Sequence, residues 1–166
     1  MKLRLHESEN GYGTYDEFKS TITDELEGWG FEYTDDCHWD YFMPFGFYAT
    51  YNAREGYAGI SWTRDGNLID ISEYTIWHLD NPNQADKFGQ MCYNFAEYDM
   101  NTLLEKGLLL SGAKEIGRDI FEYRDGYGQT LIVDLNKGEG DITYSDGDTE
   151  HFDYLQDLFS ESDLAP

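Results

Sequence analysis

Residues 115–145 read EIGRDIFEYRDGYGQTLIVDLNKGEGDITYS. Two turn signals, Asp125-Gly126-Tyr127-Gly128 and Lys137-Gly138, divide this stretch into three segments rich in β-branched and aromatic residues: Glu115 to Arg124, Gln129 to Leu135 and Asp141 to Ser145. Short Gly-containing breaks between such segments predict strands that fold back antiparallel on one another. A meander here decides the fold class.

Working outward, Phe152, Leu155, Leu158 and Phe159 have the spacing of a closing helix. On the other side, Asp99 is placed to cap a short helix running through Leu103 and Leu104 to Gly107, and residues 108–112 carry no clear signal. Asp80-Asn81-Pro82 predicts an earlier helix start, with Ala85, Phe88, Cys92 and Phe95 on one face. Strands are expected near 46–52, 57–63 and 67–74, the last two joined at Asp65-Gly66. At the amino-terminal end, Lys2 to His6 alternates like a strand and Gly11-Tyr12-Gly13 turns it. Thr14 and Glu17 then have capping-box spacing before the apolar stripe Tyr15, Phe18, Ile22, Leu26 and Trp29. The order of elements predicts an α+β fold, antiparallel β-meanders with about four helices packed on them, in a single domain spanning residues 1–166.

The 34 acidic and 11 basic residues give a formal charge of -23 at pH 7. Self-repulsion at that charge opposes compaction, and the 17% aromatic content, with 14 Tyr and 10 Phe, supplies the apolar surface that offsets it. Such a field repels nucleic acid and anionic lipid, so basic proteins and cations are the favoured partners. No apolar leader follows Met1, and no run approaches the length of a membrane span. With the two cysteines, Cys37 and Cys92, outside any CxxC pair, the expectation is a reduced cytoplasmic protein, although their pairing stays open.

Motifs for catalysis are lacking. Asp35-Asp36-Cys37-His38-Trp39-Asp40 gathers a thiol, an imidazole and carboxylates, but neighbouring carboxylates raise a thiol pKa and work against a nucleophile. His6, His38, His78 and His151 match no zinc spacing, and Asp134-x-Asn136 and Asp146-x-Asp148-x-Glu150 fail the EF-hand order. Neither Gly11-Tyr12-Gly13 nor Asp125-Gly126-Tyr127-Gly128 is a phosphate loop. The reading is therefore of a protein that is not an enzyme and has no catalytic residue, metal site or cofactor.

What remains is the distribution of charge. Residues 138–166 carry Glu139, Asp141, Asp146, Asp148, Glu150, Asp153, Asp157, Glu161 and Asp163 without one Lys or Arg, and residues 20–53 form a second acid-only window containing Asp24, Glu27, Asp35 and Asp36. If extended, Asp146, Asp148 and Glu150 would be spaced by roughly 6.6 Å. If helical, Glu150, Asp153, Asp157 and Glu161 would form a ridge. Either row approaches the pitch of nucleic-acid phosphates. The expected partner-binding residues are thus Asp141, Asp146, Asp148, Glu150, Asp153, Asp157 and Glu161, together with Asp24, Glu27, Asp35 and Asp36.

On these two windows the chain is similar in composition and size to the acidic DNA-mimic inhibitors that phages and mobile elements deploy against restriction or CRISPR nucleases. The resemblance implies an inhibitor that occupies the basic DNA- or RNA-binding surface of a bacterial defence nuclease, in the host cytoplasm if phage-encoded, and that itself binds neither nucleic acid nor membrane. The alternative is an immunity or antitoxin protein that neutralises a basic toxin. Halophilic adaptation would produce a similar excess of acid, and a homodimer that lengthens the acidic surface stays open.

Overall fold

The computed structural model describes residues 15–35, 37–62 and 82–164. The expected strands at 2–6 and 67–74, the Asp65-Gly66 hairpin, the Thr14 cap and Asp36 lie outside them. The fold is α+β, with two antiparallel sheets and four α-helices among the described residues. These fall into two compact units, one drawn from residues before Trp62 and from the helix ending at Tyr98, the other from Trp62 and the chain from Met100 onward.

The first unit begins with helix α1, Tyr15–Glu27. Its buried residues Ile22 and Leu26 are one turn apart, while Asp24 and Glu27 face solvent. Gly30, at φ 102°, ends it. The Gly30 N–H donates to Glu27 O and the Phe31 N–H to Leu26 O, a Schellman arrangement that satisfies carbonyls the helix leaves open. Strands β1 (Glu32–Asp35), β2 (His38–Phe42), β3 (Tyr48–Asn52) and β4 (Tyr57–Ser61) follow in sequential antiparallel order. The β1–β2 hairpin is absent from the sequence reading. Between its strands lies Cys37, from the stretch considered for catalysis, which adopts φ 60° and is buried. Helix α2, Pro82–Tyr98, completes this unit, with Phe88 against Phe31 and Tyr51 at ring-centroid distances of 5.9 Å in both cases. Two indoles are anchored through their N–H groups, Trp39 to Thr23 Oγ1 at 2.9 Å and Trp29 to Asp86 Oδ1 at 2.8 Å. Burying such rings removes much apolar surface from water, on the order of 1.5–3 kcal/mol for each large side chain. Cys37 and Cys92 are both buried and free of any disulfide.

The second unit opens with helix α3, Met100–Leu110. Gly107 does not end it, contrary to the sequence reading. The stop is Gly112, at φ 96°, where the Gly112 N–H donates to Leu109 O and the Ala113 N–H to Leu108 O. Gly107 is buried in the helix instead, with the Trp62 ring lying where a Cβ would project. Strands β5 (Lys114–Gly117), β6 (Ile120–Arg124), β7 (Thr130–Asp134), β8 (Glu139–Thr143) and β9 (Thr149–Phe152) form a sequential antiparallel sheet. The expected strand from Glu115 to Arg124 is therefore a hairpin, bent at Asp119 (φ 57°), whose N–H donates to Glu115 Oε2. Alternation puts Phe121, Leu131, Val133 and Ile142 on the buried face. Helix α4, Leu155–Ser160, covers that face at β8, and Gly140 admits Leu158 closely enough that a Cβ there would meet Leu158 Cδ2 at 2.7 Å. No helix among the described residues is long and apolar enough to cross a membrane.

Candidate functional site

The β8–β9 hairpin carries the densest acidity of the second unit, and its register decides which carboxylates meet. Asp141 pairs with His151, Gly140 with Phe152 and Ile142 with Glu150. Because side chains alternate across a sheet, Gly140 and Ile142 turn toward α4 while Glu139, Asp141, His151 and Asp153 gather on the opposite, open face.

His151 is the centre of that face. Its Nδ1 is 2.7 Å from Asp141 Oδ1, and its Nε2 is 3.3 Å from Asp153 Oδ1 and 3.6 Å from Glu139 Oε2. An ionised carboxylate can only accept, so Nδ1 carries the proton in the Asp141 bond. That hydrogen bond raises the His151 pKa above its ordinary value of 6.5, partly opposed by desolvation and reinforced by the charges of Asp141, Glu139 and Asp153. His151 is the only basic side chain within ion-pair distance of the 138–164 carboxylates among the described residues.

The other predicted residues are deployed differently from the two regular rows. Asp146 and Asp148 sit in the β8–β9 turn, where the Asp148 N–H donates to Asp146 Oδ1 at 2.9 Å, so no extended run carries Asp146, Asp148 and Glu150. Glu150 belongs to β9 and its Oε1 accepts the Tyr144 hydroxyl at 2.7 Å. Asp153 precedes α4, Asp157 lies in its first turn and Glu161 follows its last residue, so the six-residue helix carries only one member of the expected ridge. Both rows required regular structure where the chain instead turns at Gly147 (φ 93°) and bends before Leu155. The carboxylates are nonetheless accessible: Asp146, Asp148, Glu150, Asp153, Asp157 and Glu161 are all exposed and Asp141 is half-buried. Asp163 is absorbed into the fold, its Oδ1 accepting the Tyr123 hydroxyl and its Oδ2 the Gly126 N–H, both at 2.8 Å.

In the first unit, Asp24, Glu27 and Asp35 are exposed. Asp40 is occupied internally: its Oδ1 accepts from Thr50 Oγ1 at 3.0 Å and lies 2.9 Å from His38 Nε2, though out of line for a hydrogen bond with that nitrogen.

The grouping of Glu139, His151 and Asp153 is missing from the sequence reading, which sought metal ligands by fixed linear spacing. The available signal was Glu139-x-Asp141 on one strand and His151-x-Asp153 running off the end of the next, joined by a Gly-containing turn, an arrangement that gathers all four once the register is known. No protein-family model, curated protein or solved structure matches the chain.

Proposed function

We propose that this protein is an acidic inhibitor that presents a nucleic-acid-like charge to the basic DNA- or RNA-binding surface of a bacterial defence nuclease, a restriction or CRISPR effector, in the cytoplasm. The observation that carries this reading is the set of six exposed carboxylates, Asp146, Asp148, Glu150, Asp153, Asp157 and Glu161, within a segment devoid of Lys and Arg. A surface kept merely soluble intersperses both signs. Among the described residues, the basic side chain within ion-pair distance of this segment's carboxylates is a histidine already engaged by Asp141. Such a patch gains by releasing counter-ions from a basic groove and by steering encounter with it.

A second reading has its own support. The carboxylates cluster around one hairpin turn and one short helix instead of extending along a straight row, and a compact acidic patch suits an immunity protein that blocks a single basic toxin. One experiment addresses both. Basic proteins retained from the natural host lysate at low salt are identified, and the inhibitor's affinity for the retained protein is measured against salt and against alanine blocks spanning residues 141–161. Mimicry requires a steep loss of affinity with salt and a graded loss along the blocks. Loss confined to one block favours the immunity reading. Affinity unchanged by salt, or a gel shift of free DNA by this protein alone, defeats the mimic.

A further inference from the structure

We propose that Glu139, His151 and Asp153 form a binding site for a divalent transition-metal ion of the zinc class, with Asp141 as the residue that orients the histidine. The proposal stands independently of the partner of the acidic surface. Four features of the site point the same way.

The donor set is mixed. Carboxylates alone suit magnesium and calcium or merely condense counter-ions, whereas an imidazole nitrogen among them selects the borderline metals. The imidazole is also held in the tautomer that ligation needs. In the neutral ring, Nδ1–H committed to Asp141 Oδ1 at 2.7 Å leaves the lone pair on Nε2, the nitrogen that lies beside Asp153 and Glu139. A carboxylate behind the ligating histidine is the usual support of a bound zinc, since it fixes the ring and raises its basicity.

The separations fit an ion. Ligand atoms about 2.0–2.2 Å from a tetrahedral zinc are roughly 3.4 Å from one another. Nε2 is 3.3 Å from Asp153 Oδ1 and 3.6 Å from Glu139 Oε2. The ligand atoms of all three residues fall within 4.8 Å of each other. Finally, the backbone has already arranged them. Glu139 opens β8, His151 is in β9 opposite Asp141, and Asp153 follows β9, so strand pairing brings them together without rearrangement. The His151 and Asp153 side chains are 50% and 79% exposed, which leaves the ion an open approach and at least one coordination position for water. An ion held there would tie the start of β8 to the chain entering α4.

The test titrates zinc chloride into the untagged chain of residues 1–166 by calorimetry at neutral pH, with excess magnesium present to occupy non-specific carboxylates. A single zinc per chain is expected, accompanied by a zinc-dependent shift of the His151 Nε2 nitrogen resonance and a rise in Tm. His151→Ala and Glu139→Gln should abolish or strongly weaken binding, and Asp141→Asn should weaken it ~10–100-fold through loss of the orienting acceptor. Asp148→Asn removes an equal charge outside the set and should bind zinc like the parent. Far-UV circular dichroism checks that each variant folds, and the resonance shift is read on the parent in any case. Absence of zinc binding in the presence of magnesium overturns the proposal. So does binding that survives His151→Ala or that leaves the His151 resonance unmoved.

Discussion

The hydroxyl of Tyr123, on β6, donates to Asp163 Oδ1 at 2.8 Å, and the other oxygen of the same carboxylate accepts the Gly126 N–H at 2.8 Å. One acid in the lysine-free tail thereby ties the segment after α4 to the β6–β7 turn. Burial, then the hydrogen bond to Asp163, raises the Tyr123 pKa strongly. Asp163→Ala leaves a half-buried phenol and a turn amide without their acceptor, and a hydrogen bond to a charged group is worth about 1.5–3 kcal/mol. With partial exposure reducing that figure, the expected loss is about 1–2 kcal/mol in urea or thermal denaturation, and Tyr123→Phe should lose somewhat less. A cost below about 0.5 kcal/mol would remove Asp163 from the structural residues and return it to the free acidic surface.

Gly107 tests a packing rule against a propensity rule. In an exposed helix Gly→Ala gains about 1 kcal/mol. Here the new methyl would run into the Trp62 ring, and overpacking a fitted core costs typically 1–3 kcal/mol. Gly107→Ala should therefore destabilise by up to about 2 kcal/mol net, with a change in the near-ultraviolet dichroism of tryptophan. A stabilised variant would show that the indole has room to move.

The same residue marks how far the sequence was readable. Apolar periodicity in Ile22 and Leu26, and in Ala85, Phe88 and Cys92, is a local property and located α1 and α2 directly. Gly107 looked like a stop because a helical glycine is normally a cost, and only the non-local packing of Trp62 explains it. The β5–β6 and β1–β2 hairpins were hidden for a related reason, since non-glycine residues, Asp119 and Cys37, supply the positive φ at their turns. The acidic residues themselves were legible one by one. Their arrangement was not, because strand register decides that Asp141 meets His151, and register is fixed by Leu131, Ile142 and Gly140 packing on the other face.

Carboxylates that serve a partner and not the fold can be neutralised without harm to stability. Asp148, Asp157 and Glu161 are exposed, and Asp146 contributes only an acceptor to the Asp148 N–H, which asparagine also supplies. The combined variant Asp146→Asn, Asp148→Asn, Asp157→Asn and Glu161→Gln should keep or slightly raise Tm at low salt, as repulsion within a chain of charge -23 is relieved. The advantage over the parent should shrink as salt screens the parent's charge. On the proposed reading, this variant should lose most of its affinity for the basic protein retained from lysate. A fall in Tm of several degrees would assign these carboxylates a structural role instead.

Tyr144 offers a reading of the same hairpin at high pH. Its hydroxyl donates to Glu150 Oε1 at 2.7 Å, and that hydrogen bond, ahead of desolvation and the Glu150 charge, pushes its pKa up to about 12 from a usual value near 10. The neutral phenol is the form favoured by folding. Its contribution is therefore complete below the unfolded value near 10 and disappears as pH rises through about 12. Subtracting the phenolate absorbance titration of Tyr144→Phe from that of the parent should isolate one ionisation with a midpoint about 12, and Glu150→Gln should bring that midpoint back toward ~10. If the isolated midpoint in the parent already lies near ~10, the Tyr144–Glu150 bond does not persist in solution, and the hairpin turn bearing Asp146 and Asp148 loses the contact that fastens Glu150 to the end of β8.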